Sequence, residues 1–116
     1  MDEILVEFFR DERGQRPFHD WLATIRDKAK VARIQARLER VQAGNLGDAK
    51  AINENLSELR LAFGPGYRIY FMRPEPSLVV ILCAGDKDSQ QRDIRRAKEL
   101  VQRYEQLLRP SDTRLW

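Results

Sequence analysis

The strongest constraint on this chain is a stretch of sheet pattern between Glu58 and Ala84. Leu59, Leu61 and Phe63 alternate with Glu58, Arg60 and Ala62, and Tyr67, Ile69 and Phe71 alternate with Arg68, Tyr70 and Met72. Successive side chains of a strand point to opposite faces, so this period buries one face and leaves the other mixed. Gly64-Pro65-Gly66 lies between the two runs and predicts a hairpin. Pro74 to Pro76 then breaks the chain. Leu78 to Ala84 follows as a nearly unbroken apolar run, the pattern of a central strand covered on both faces.

The flanking segments read as one further strand and three helices. Glu3 to Phe9 suits a first strand. Pro17 fits the first turn of a helix carrying Phe18, Trp21, Leu22 and Ile25 at helical spacing. Asp27 is the expected N-cap of a second helix, with Val31, Ile34, Leu38 and Val41 on one stripe and Lys30, Arg33, Arg37 and Arg40 on its neighbour. Gly44 is expected to end it. Residues 45–55 show no period and read as a loop. A last helix from Asp88 to Arg109 presents Ile94, Ala97, Val101, Tyr104 and Leu108 on one stripe. Pro110 ends it, and residues 110–116 are expected to form a mobile tail. The 116 residues therefore predict a single α+β domain over 1–109, large enough to bury one core without metal or disulfide staples.

Scarce residue types narrow the chemistry. Cys83, the one cysteine, has no internal disulfide partner and sits in an apolar run, which points to a buried thiol and a reducing, cytoplasmic compartment. The run from Ile4 to Phe9 is interrupted by Glu7 and has no basic residues before it, so neither a signal peptide nor a membrane span is expected. One histidine and one cysteine make no zinc constellation, and Asp86 with Asp88 is too sparse for a calcium loop. No metal or cofactor is expected. His19, between Phe18 and Asp20, lies off the apolar face of its helix and reads as solvated. Trp21 reads as an anchor for that helix, whereas Trp116 has no periodic context.

The chain carries 21 basic and 18 acidic residues, and their placement is uneven. Arg26 to Arg40 holds six basic and two acidic residues, and Lys87 to Arg103 holds six and three. This asymmetry fits a polyanionic partner, with nucleic acid first. It equally fits the solvated faces of two helices, and Glu99 shares the stripe of Arg92, Arg96 and Arg103, where i,i+4 ion pairing competes with any outside contact.

A three-residue turn pairing Phe63 with Tyr67 would oppose Leu61 to Ile69, Leu59 to Phe71, Ala62 to Arg68 and Arg60 to Tyr70. One face is then apolar, and the other gathers Arg60, Arg68 and Tyr70, with Glu58 a step further along. Antiparallel pairing also brings Gly85-Asp86-Lys87 close to Arg68. Two arginines, a lysine and a tyrosine at one end of a sheet suit a phosphodiester and the extra charge of a pentacoordinate transition state. The same groups also have structural readings: Arg60 paired with a carboxylate, Tyr70 under a helix, Lys87 in an ordinary turn.

Several of these segments carry a family resemblance. Ser57-Glu58-Leu59-Arg60, Gly64-Pro65-Gly66-Tyr67-Arg68-Ile69-Tyr70-Phe71 and Leu82-Cys83-Ala84-Gly85-Asp86-Lys87, followed by Gln90, Asp93, Ile94 and Ala97, resemble the HigB-type addiction module killer proteins of the RelE/ParE toxin superfamily. The similarity includes Gly44-Asn45-Leu46-Gly47-Asp48 and runs from about residue 3 to 105. The Gly-Pro-Gly-Tyr-Arg and Gly-Asp-Lys motifs are specific in combination.

The resemblance implies a RelE-like α+β fold: an N-terminal strand, two helices, an antiparallel three-strand meander completing a four-stranded sheet, and a C-terminal helix. It implies the toxin of a type II toxin-antitoxin module, neutralised by a cognate helix-turn-helix antitoxin and meeting operator DNA only through that complex. Many relatives are metal-independent endoribonucleases that cleave mRNA on the ribosome, with the RNA 2′-hydroxyl as nucleophile. Carried over residue by residue, Arg60 and Arg68 would clamp the phosphate and Lys87 would stabilise charge or move a proton. Arg33, Arg37, Arg40, Arg92 and Arg96 would bind RNA. Ribosome-dependent relatives often place a catalytic tyrosine or histidine near the C-terminus, but here Tyr104 falls on the apolar stripe, leaving Tyr70 and Glu58 as substitutes by position. ParE-type members inhibit DNA gyrase by binding alone, and a degenerate toxin would retain only antitoxin binding.

Overall fold

The computed structural model describes residues 2–107 and 111–113. The elements in chain order are β1 (Leu5–Phe9), α1 (Pro17–Leu22), α2 (Lys28–Gln42), β2 (Ala49–Ala51), β3 (Ser57–Arg60), β4 (Arg68–Glu75), β5 (Leu78–Gly85), α3 (Gln90–Gln106) and β6 (Ser111–Asp112). The strands form one six-stranded sheet in the order β2-β3-β4-β5-β1-β6. The β3-β4-β5 meander is antiparallel as expected, whereas β1 joins β5 in parallel, Leu5 opposite Leu78. The sheet is therefore mixed. It is also wider than the four expected strands, because β2 pairs with β3 and β6 with β1. Strands this short carry no readable period, and their ladder partner alone makes them strands. Ser111 and Asp112 thereby tie part of the expected mobile tail to the sheet; Leu108, Pro110 and Trp116 lie outside the described residues.

Two apolar layers enclose the sheet. Phe18 and Leu22 of α1 and Ile34, Leu38 and Val41 of α2 pack on one face against Val6, Phe8, Ile69, Phe71, Val79 and Ile81. Ala97, Leu100 and Val101 of α3 pack on the other face against Phe9, Tyr70, Met72, Val80 and Leu82. Asp27 caps α2 as expected, accepting from the amides of Ala29 and Lys30 at 2.9 and 3.4 Å. Gly44 follows the end of the helix with φ +93°, a left-handed conformation that glycine adopts without steric cost. Trp21 anchors α1 edge-on against Tyr67.

All eight residues of β5 are buried. Their run stays apolar across a bulge: Tyr70 pairs with Cys83 and Phe71 with Ile81, so Leu82 is the extra residue. Both Leu82 and Cys83 consequently face α3, and the alternation resumes with Ala84 on the opposite side.

The β3–β4 register corrects the expected pairing by two residues. Leu59 opposes Ile69, Arg60 opposes Arg68 and Glu58 opposes Tyr70. The connection is wider than a three-residue turn: β3 stops at Arg60, and the amide of Leu61 donates to the Tyr67 carbonyl at 3.0 Å. A slip of two preserves every residue's face, which is why the apolar pattern alone did not resolve it.

At the end of β5, Gly85 is packed so closely that a β-carbon would collide with Asp93 Oδ2 and lie 2.7 Å from Ser89 Oγ. Gly85→Ala is expected to destabilise the fold by about 1–3 kcal/mol through overpacking. Urea unfolding should show a lower midpoint at an unchanged slope.

Candidate functional site

The site forms where β3, β4 and β5 end beside the first turn of α3. Alternation along β3 and β4 turns Glu58, Arg60, Arg68 and Tyr70 to the α3 face of the sheet. Gly85 lies directly beside Arg68. The expected gathering of Arg60, Arg68, Tyr70 and Glu58 is thus present at the backbone, in the corrected register.

The side chains divide into a buried and an exposed group. Tyr70 and Glu58 are 0% and 4% exposed. Arg68 Nε lies 4.0 Å from Glu58 Oε2, and Gln90 Nε2 donates to that same oxygen at 3.5 Å. The other arm of the guanidinium is spent locally, Nη1 donating to the Gly66 carbonyl at 2.7 Å. Among the described residues, the Tyr70 hydroxyl has no hydrogen-bond partner. Burial first, and then the Glu58 and Asp93 carboxylates, push its phenol well above the ordinary range, with Arg68 opposing. Tyr70 is therefore a neutral phenol held within the α3 core, and neither it nor Glu58 presents a base to solvent.

Lys87 belongs to the exposed group, on a turn that is tightly fixed. Asp86 Oδ1 accepts from the amides of Asp88 and Ser89 at 2.9 and 3.1 Å. Ser89 Oγ in turn donates to Asp93 Oδ2. The Lys87 amide reaches back to the Pro65 carbonyl at 3.5 Å, joining the Gly-Asp-Lys turn to the Gly-Pro-Gly loop. Asp93, 8% exposed, was named only among the resembling positions, and sequence reasoning gave it no role. Its signal was the i,i+4 spacing from Ser89 beside a glycine.

The remaining arginines separate by location. Arg60 is engaged by Asp48, Nη2 and Nε donating to Oδ1 at 3.0 and 3.3 Å, an exposed pair of the kind worth at most about 1 kcal/mol. Arg37 is 7% exposed and clamps the loop after α2 by donating to the carbonyls of Leu46 and Asp48 at 2.5 and 3.5 Å. Burial and the neighbouring Arg40 lower its pKa. Arg33 and Arg40 are exposed on α2, and Arg92 and Arg96 are exposed on α3. Because the two helices cover opposite faces of the sheet, these pairs make two separate basic surfaces.

His19 departs from the solvated reading. It packs edge-on against Phe8 and Phe18 at 5.0 and 5.8 Å, and Arg16 Nη2 donates to its Nε2 at 2.6 Å. Seating Phe18 in the core carries its neighbour against β1.

Two buried acids set a pH dependence. Burial pushes the Cys83 thiol from its ordinary 9.0 up to about 12, and Tyr70 is shifted in the same direction. Above pH 9 the unfolded chain releases protons that the folded chain retains, so stability falls as pH rises. Thermal unfolding followed from pH 8 to 11 should show this decline. Tyr70→Phe removes an unpartnered buried hydroxyl, so at pH 7 its melting temperature is expected to equal or exceed that of the parent, by up to about 1 kcal/mol of added stability.

No protein-family profile matches this chain, and no solved structure matches it. A protein of Haemophilus influenzae described as "Uncharacterized protein" is 44% identical over 85 residues, covering 73% of this chain and 86% of the relative. This chain belongs to the family of that Haemophilus influenzae protein.

Proposed function

We propose that this protein is the toxin of a type II toxin-antitoxin module, a HigB-type member of the RelE/ParE superfamily that cleaves mRNA on the ribosome in the cytoplasm. The observation that carries this reading is the convergence of cationic residues at one end of the sheet. Arg60 and Arg68 are paired across β3 and β4, and the Lys87 turn is hydrogen-bonded to the loop between those strands. The meander flanked by β1, with α1 and α2 on one face and α3 on the other, agrees with a RelE-like arrangement. Among the described residues, no helix is long and apolar enough to cross a membrane.

Chemically, Arg68 and Arg60 hold the scissile phosphate while the RNA 2′-hydroxyl, losing its proton to water, attacks phosphorus to close a 2′,3′-cyclic phosphate, and the bond to the 5′-oxygen breaks with that oxygen taking up a proton from water. Lys87, exposed on a rigid turn, meets the charge that develops on the phosphoryl oxygens. The cognate partner in this reading is a helix-turn-helix antitoxin that docks on an exposed apolar groove or a strand edge.

A second reading, a non-catalytic ParE-like inhibitor of DNA gyrase, is favoured by the burial of Glu58 and Tyr70, which leaves no exposed carboxylate or phenol among the proposed catalytic groups. Induction of the protein in cells followed by primer extension separates the two. The nuclease reading requires new mRNA 5′ ends inside reading frames, reduced at least about 100-fold by Lys87→Ala in a variant that still folds. Growth arrest with intact mRNA and an SOS response would transfer the assignment to gyrase.

A further inference from the structure

On the α2 side of the sheet, Arg33, Arg37 and Arg40 line an open groove of about 300 Å³ together with Ala36, Phe63 and, at the end of β3, Arg60. Among the described residues, no carboxylate lines it. Asp48 is engaged with Arg60, and Arg33 and Arg40 make no ion pair among the described residues. A concentration of positive charge this poorly compensated is costly unless an anion neutralises it.

The groove also holds an aromatic platform. The Arg33 guanidinium lies over the Phe63 ring, Cζ 4.0 Å from its centroid. Phe63 is itself fixed by edge-on contact with Tyr67 at 5.7 Å, and Tyr67 by Trp21 at 5.4 Å. The plane is therefore set by a chain of rings leading into the core. Arg33 is exposed, so the face of its guanidinium turned away from Phe63 is open to a second flat group. A planar cation backed by an aromatic ring is a stacking surface for an unpaired base, whose flanking phosphates carry the charge that the other arginines attract.

We infer that this groove binds single-stranded RNA, with one unpaired base stacked on the Arg33–Phe63 platform and an adjacent phosphate on Arg40. Arg37 takes no direct part. Its guanidinium is committed to the Leu46 carbonyl and holds the groove's wall against α2. This deepens the RNA reading above and rests on it, while giving the α2 surface a role separate from the Lys87 end: gripping a chosen nucleotide. An acidic protein segment would satisfy the charge but leave the platform unused.

The test is fluorescence anisotropy with the purified full chain and a labelled eight-residue oligouridylate, compared with an abasic strand of equal charge and with an RNA duplex of equal length. Arg33→Lys keeps the charge and removes the plane. It is expected to weaken oligouridylate binding about fivefold or more while leaving abasic binding within twofold. Phe63→Leu, checked for folding by circular dichroism, should do the same, and Arg40→Ala should weaken both single strands. Equal losses on both strands for Arg33→Lys, duplex binding as tight as single-strand binding, or unchanged affinity in all three variants would overturn the groove. The outcome is separable from the nuclease assignment. Tight base-dependent binding without mRNA cleavage in cells would keep the groove and remove the nuclease, and cleavage without base-dependent binding would do the reverse.

Discussion

Burial of β5 on both faces governs the arrangement of the other elements. Eight successive residues without a polar side chain must be covered by helices above and below and by strands on either side, since an unpaired backbone group in that position costs about as much as a lost hydrogen bond. β4 satisfies one edge and β1 the other. The bulge at Leu82 then lets two adjacent residues face α3 without abandoning the apolar run. It also sets the approach of Gly85 to Asp93, and through Ser89 and Asp86 the position of the Lys87 turn. The geometry of the exposed cations is in this sense a consequence of how one strand is packed.

Much of this was legible because long elements carry periodic signals. The pattern of β4, the continuous apolar run of β5, and the helical stripes of α2 and α3 each span enough residues for the burial of one face to leave a mark. Asp27 was recognisable as a cap because its side-chain chemistry is local. The register of β3 on β4 was not, since pairings two residues apart bury the same side chains and differ only in the conformation of the Gly64–Gly66 loop. The parallel entry of β1 beside β5 depends on contacts between distant parts of the chain. β2 and β6 exist only because a neighbour supplies hydrogen bonds.

Among the candidate site residues, the sequence identified the cations but could not assign their environments. Arg33, Arg37 and Arg40 share a helix surface at i,i+4 and i,i+3 spacing, and nothing in their types distinguishes them. The loop that returns past Gly47, φ +63°, selects one of them: a β-carbon at Gly47 would stand 2.7 Å from the Arg37 guanidinium, which donates to the Leu46 carbonyl. Tyr70 and Glu58 were correctly placed together on a face, yet the face is the one α3 covers, which changes their chemical meaning from reagents to core.

The parallel pairing of β1 with β5 also imposes an order in time. Leu5 is synthesised well before its partner Leu78, which follows 73 residues later (78 − 5). At a translation rate of about 5–20 residues per second, β1 waits for seconds without the strand it needs. Contacts of such long sequence separation slow the final closure of a fold. A nascent chain interrupted before β5 therefore lacks both the centre of the sheet and the Lys87 turn, and such a truncated product cannot assemble the cationic end that the full sheet displays.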